Sequence, residues 1–222
     1  MSIEKHWASK QTSKQDEVRD FVSRGLDLAL QRRKEVALVL GGAAVVGLLI
    51  GFWVYSRTAN ENEAWDKLSL AEAYSYYGRP KEAADALSEV AAQTASPAAA
   101  GLAGLMQGEL KQTKGEHDAA LASFSRAVEV APETLRPFAQ AEKIAGLEAA
   151  GKPAECSVAA QAFLDANADH FLAPQVQEVM ARCQAAAGQA EAARATWQKI
   201  SLQYPDTPWA ARANARLNPP TK

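Results

Sequence analysis

The chain has 222 residues, 48% hydrophobic and 23% charged, with a formal net charge of −2. Residues 1–35 carry eight Lys/Arg against six Asp/Glu, whereas residues 56–222 carry sixteen against twenty. That acidic remainder, without a basic cluster, argues against a nucleic-acid partner. The two cysteines and three histidines have neither CxxC nor metal-ligand spacing, so no metal site is expected.

Residues 1–35 read as a short cytoplasmic arm. Ile3 to Lys14 is polar, and from Gln15 to Lys34 a weaker helical pattern places Val18, Phe21, Val22 and Gly25 on one face. That face suits either headgroup contact or docking on a membrane partner.

Val36 to Tyr55, VALVLGGAAVVGLLIGFWVY, has no charge, Asn, Gln or Pro. A helix of that length rises ~30 Å, the thickness of a bilayer's hydrocarbon core, so residues 36–55 are predicted to span a membrane. Arg19, Arg24, Arg32, Arg33 and Lys34 precede the run, while only Arg57 and Lys67 follow within a comparable distance. The positive-inside rule then puts the N-terminus in the cytoplasm and residues 56–222 outside it. The run is long and begins well into the chain, with no prompt A-x-A site, so an uncleaved signal-anchor is expected rather than a cleaved leader. Ala43, Gly47 and Gly51 form a small-xxx-small stripe, a candidate surface for packing against another membrane helix.

From residue 56 onward the text repeats. Gly78, Gly115, Gly151 and Gly188 each open similar stretches (GRPKEAADAL, GEHDAALASF, GKPAECSVAA, GQAEAARATW) at spacings of 37, 36 and 37 residues. A tetratricopeptide (TPR) unit is ~34 residues long, two antiparallel helices A and B. The second copy keeps the pattern best, with Gly108, Gly115, Ala120, Phe124, Ala127 and Pro132. The third is degenerate, carrying Cys156 at the small site and Ala160 at the aromatic one. Ser96-Pro97 and Thr207-Pro208 read as N-cap followed by N1. Helices are expected at 60–77, 80–93, 97–113, 116–130, 133–150, 153–166, 172–186, 189–203 and 208–217, the last closing the open end of the array. The predicted fold is therefore all-α: one transmembrane helix, then a TPR-like α-solenoid of about four helix pairs plus a capping helix.

Counting back from each turn glycine gives groove-facing candidates on the A helices: Trp65, Leu68, Glu72, Tyr76, Leu102, Leu105, Glu109, Phe138, Glu148, Glu178 and Arg182. Apolar and aromatic surface with acidic residues between suits a peptide partner. Equally, neighbouring helices or the chain's own N-terminal segment could cover Trp65, Leu102 and Phe138. Leu68 and Glu72 stand where chaperone-tail receptors need Lys, Arg or Asn, so that clamp is absent. Cys156 and Cys183 fall at similar heights on antiparallel neighbouring helices. Outside the cytoplasm they could form a disulfide, or remain two buried thiols. No GxSxG, P-loop or GxGxxG motif occurs, and neither catalysis, a cofactor nor a small-molecule substrate is expected.

The arm-plus-span text QDEVRDFVSRGLDLALQRRKEVALVLGGAAVVGLLIGFWVY, with Val18 and Phe21, and the C-terminal GQAEAARATWQKI resemble the YfgM-like family of ancillary SecYEG translocon subunits. The cysteine pair and the tail YPDTPWAARA depart from that family and look more like TPR proteins of cell-envelope assembly. The resemblance implies a single-pass, N-in protein of a bacterial inner membrane with its repeats in the periplasm. It also implies SecYEG and a membrane-anchored periplasmic chaperone of the prolyl-isomerase type as partners. The alternative is a scaffold or assembly factor for another envelope complex, in secretion, pilus assembly or cytochrome maturation.

Overall fold

The computed structural model describes residues 32–92 and 96–219, and among these every regular element is an α-helix. The expected arm pattern over Gln15–Lys34 lies almost wholly outside the described residues. The helices are α1 (Arg33–Tyr76), α2 (Pro80–Ala92), α3 (Pro97–Thr113), α4 (His117–Val130), α5 (Arg136–Ala149), α6 (Pro153–Ala166), α7 (Ala173–Ala186), α8 (Ala190–Gln203) and α9 (Pro208–Leu217). The chain divides into two compact units, Met1–Arg57 and Thr58–Lys222.

The described part of the first unit is the N-terminal stretch of α1. Its large apolar side chains, from Leu38 through Phe52 and Trp53 to Tyr55, are all at least half exposed. An apolar surface of this kind on every side of one helix has no solvation in water, and α1 is long and apolar enough to cross a membrane. Separate helices were expected over 36–55 and 60–77, but α1 is continuous through 56–59. Ser56, Arg57, Thr58 and Ala59 contain no glycine or proline to break it.

The second unit is a run of antiparallel helix pairs, joined by one turn used four times. Gly78, Gly115, Gly151 and Gly188 all have positive φ, between 66° and 78°. That backbone is nearly free of cost only for glycine. At each turn the N–H after the glycine donates to the carbonyl five residues back: Arg79 to Tyr74 (2.8 Å), Glu116 to Lys111 (3.0 Å), Lys152 to Leu147 (3.0 Å) and Gln189 to Gln184 (2.9 Å). The glycine's own N–H donates three residues back, completing a Schellman cap. The 36–37-residue period seen in the sequence is the recurrence of this cap.

Starts of helices follow proline and hydroxyl chemistry. Ser96 Oγ accepts from Ala99 N–H at 3.4 Å, and Thr207 Oγ1 accepts from Ala210 N–H at 3.3 Å, each with proline next in sequence. Helix α5 begins at Arg136 rather than 133, because Pro132 to Leu135 close a turn in which Leu135 and Arg136 N–H both donate to the Pro132 carbonyl.

Packing between the pairs is set by small residues under large ones. Ala64, Leu68 and Ala71 of α1 join Leu87 and Val90 of α2 and Ala99 and Ala103 of α3 in one core. Phe124 of α4, fully buried, lies against Gly108 of α3 and Gly146 of α5. At the far end Trp197 and Ile200 of α8 pack on Ala213 of α9. In the degenerate third repeat Ala160 cannot fill the inter-repeat space. Ala160 and Phe163, one helical turn later and 2% exposed, join one buried cluster with Ile144, which stands seven residues before its turn glycine where the second repeat has Gly108.

Candidate partner-binding face

The A helices of the second unit are α3, α5, α7, the part of α1 beyond Arg57, and the capping α9. Residues thirteen before each of the first three turn glycines are Trp65, Leu102 and Phe138. Trp65 and Phe138 are 38% and 37% exposed, and Leu102 is half-buried. The exposed Phe138 ring meets Phe171 at 5.5 Å and stands edge-on to His170 at 5.9 Å, between centroids. His170 in turn stacks on Phe171 at 4.6 Å. Its Nδ1 accepts from Leu172 N–H at 3.2 Å, which holds the imidazole in the α6–α7 loop. Tyr76, 87% exposed, stands edge-on to Tyr77 at the end of α1.

Two expected groove residues are not surface. Leu68 and Leu105 are 6% and 8% exposed and belong to the cores between helices. Their positions on the A helices point into the packing with helix B and the next repeat, so they offer a partner nothing.

Six residues before the first two turn glycines stand Glu72 and Glu109, both exposed. Glu142 of α5 adds a third carboxylate to this region. Burial, and then the negative charge of Glu109, raise its carboxyl above the usual glutamate value. None of the three takes part in an ion pair among the described residues. The late repeats differ. Arg182 makes a two-pronged contact with Glu148, Nε to Oε1 at 2.6 Å and Nη2 to Oε2 at 2.8 Å. It also approaches Glu178 at 3.5 Å. Arg212 closes on Glu178 at 2.9–3.1 Å and lies 4.3 Å over the Trp209 ring. Glu148, Arg182, Glu178 and Arg212 thus lace α5, α7 and α9 together. They neutralise one another, and hydrogen bonding to the carboxylates raises both guanidinium pKa values further. Glu142, His170, Phe171 and Arg212 were not singled out from sequence; Glu142 and Arg212 lie where helical periodicity from Phe138 and Trp209 would have found them.

Ala43, Gly47 and Gly51 are exposed on α1, and a β-carbon at either glycine would meet nothing within 4 Å. Cys156 of α6 and Cys183 of α7 are disulfide-bonded, with Cα atoms 6.0 Å apart and almost no exposure. Among the described residues no group of three His, Cys, Asp or Glu could hold a metal. A cleft of about 200 Å³ lies among Val128, Lys143, Ile144, Ala159 and Phe163, and another of about 240 Å³ beside Trp197, Arg194 and Arg216.

A tetratricopeptide-repeat family profile matches residues 179–207, the α7–α8 pair. No curated protein matches the chain. Among solved structures, TPR-like repeats assigned to a kinesin light chain of Podosopora anserina are 20% identical with a TM-score of 0.51, over 71% of this chain and 77% of that one. MamA is 16% identical with a TM-score of 0.53, over 74% and 87%. At these identities the likeness shows the fold, a TPR solenoid. A repeat solenoid of this kind is suited to protein–protein interaction.

Proposed function

We propose that this chain is a non-enzymatic, membrane-anchored TPR interaction protein that serves as an accessory subunit of the Sec translocon. Its A-helix face would receive periplasmic chaperones or emerging polypeptides. The observation that carries the interaction reading is the half-exposed row Trp65, Leu102 and Phe138 beside unpaired carboxylates, a solvent cost that a bound segment would relieve. The exposed apolar surface of α1 supports a single span over 36–55. The bonded pair Cys156–Cys183 supports an oxidising compartment for residues 56–222, which agrees with the N-in orientation read from the flanking basic residues. The translocon itself rests on the resemblance of the arm, span and last repeat to YfgM-like proteins. In this reading Ala43, Gly47 and Gly51 form the surface of the span that packs on the translocon.

The test is site-specific photo-crosslinking in membranes, with the probe at Gly47, Tyr76 or Glu109. Capture of a translocon component from Gly47, and of a chaperone or nascent chain from the other two, is expected. Capture of a secretion, pilus or cytochrome-maturation component instead would replace the translocon by the scaffold reading. No protein adduct at any position would overturn both.

A further inference from the structure

The first three A helices carry an apolar row that the fold covers only in part and an acidic row without ion pairs among the described residues. Trp65, Leu102 and Phe138 sit thirteen residues before their turn glycines, and Glu72 and Glu109 sit six before. Seven residues separate the rows on a helix, a rise of ~10 Å. Glu142 stands one turn past Phe138 on the same helix and is close enough to Glu109 for the two charges to act on each other. In the fourth repeat the corresponding position is Arg182, whose charge is already spent on Glu148 and Glu178. Among the described residues Glu72, Glu109 and Glu142, on α1, α3 and α5, are in no ion pair. Residues 56–222 as a whole carry the same sign, with twenty acidic side chains against sixteen basic.

We propose that this face takes an extended segment bearing Lys or Arg at about every third residue, with apolar side chains between. The proposal rests on the reading above that the A-helix face receives a polypeptide, and names that polypeptide's chemistry. Packed helices lie ~8–10 Å apart, and an extended chain advances ~3.3 Å per residue. Three residues of such a segment thus carry it from one A helix to the next. A cation in each interval meets Glu72, Glu109 or Glu142, while the intervening apolar side chains lie along Trp65, Leu102 and Phe138. Acidic and neutral segments gain only the apolar half of this surface, and an acidic one also meets three carboxylates of its own sign.

The experiment uses the full chain in phosphatidylcholine nanodiscs, with empty nanodiscs as the blank. Fluorescence polarisation follows a labelled peptide of four Lys-Ser-Val repeats, and its Glu-Ser-Val and Gln-Ser-Val counterparts. The basic peptide is expected to bind, more weakly as salt rises, and its counterparts at least tenfold more weakly. Glu109→Gln with Glu142→Gln is expected to weaken the basic peptide about tenfold while leaving the Gln-Ser-Val peptide unchanged. Both substitutions keep shape and hydrogen-bonding capacity, and thermal melts of the double variant verify that the solenoid is folded. Equal binding of the three peptides, no binding of the basic one, or an unaltered affinity in the folded double variant would each overturn the proposal. If the crosslinks from Tyr76 or Glu109 capture a polypeptide while the basic peptide fails, the chemistry named here falls and the interaction reading stands.

Discussion

The ring of Phe124 occupies the space over Gly108 so completely that a β-carbon there would lie inside the ring's van der Waals envelope. The ring cannot retreat, because its opposite edge lies against Gly146, where an added β-carbon would stand 2.9 Å from it. One aromatic side chain on α4 thus sets how closely α3 and α5 approach, and two glycines make the approach possible.

Substitution on either side of this contact should be costly. Gly108→Ala forces overpacking and is expected to destabilise the solenoid by ~1–3 kcal/mol. Phe124→Ala leaves a cavity and is expected to cost ~3–5 kcal/mol. Combining Gly108→Ala with Phe124→Ala should cost less than the sum of the two single changes. Urea titrations followed by circular dichroism read all three, and strict additivity would show that the two sites do not touch.

The disulfide joins α6 to α7 across 27 residues of sequence. Closing a loop of that length restricts the unfolded chain by ~3–4 kcal/mol. Cys156→Ala with Cys183→Ala should therefore lower the melting temperature clearly, and dithiothreitol should lower that of the native chain but not of the variant. Non-reducing mass spectrometry of protein taken from membranes should find the pair bonded. Two free thiols there would place the domain in a reducing compartment.

Glu142 gives a pH dependence of definite sign. Burial and the facing Glu109 raise its folded-state carboxyl pKa above the ordinary 4.5, so the folded chain binds this proton more tightly than the unfolded one. The resulting penalty is fully present above the folded pKa and disappears as the pH falls below about 4.5. Glu142→Gln should melt higher than the native chain at pH 7, and the difference should vanish toward pH 4. A variant that melts lower at neutral pH would mean that the carboxylate has a stabilising partner.

The Glu148–Arg182 pair is about two-thirds buried on both sides, and its two-pronged geometry is the strong form of such a contact. A double-mutant cycle with Glu148→Gln and Arg182→Met should give a coupling of about 1 kcal/mol that weakens with salt. Breaking Glu178–Arg212, the next rung, should matter most for α9, read as faster amide exchange over Pro208–Leu217.

Much of the solenoid was legible in the sequence because its signals are local. The turn glycines mark a backbone conformation that few other residues adopt, so their spacing reported the repeats directly. Ser96-Pro97 and Thr207-Pro208 marked helix starts for an equally local reason. The candidate face was legible only in part. Counting from the glycines picked Trp65, Leu102, Phe138, Glu72 and Glu109, which are at least partly in solvent, yet the same counting put the buried Leu68 and Leu105 on the surface. Whether an A-helix side chain faces a partner or the next helix depends on crossing geometry, which spacing along one helix does not carry.

By itself the sequence determined the helical pairs, their period and an apolar stretch long enough to cross a bilayer, because backbone caps and hydrophobic runs are properties of contiguous residues. The tertiary structure alone decided that Ala160, Phe163 and Ile144 share one buried cluster and that the arginines of the late repeats are neutralised by Glu148 and Glu178. It also decided that Glu109 and Glu142 come close enough for their charges to act on each other, with neither in an ion pair among the described residues. Those outcomes turn on which side chains from separate helices meet, and only the packed solenoid brings them within reach.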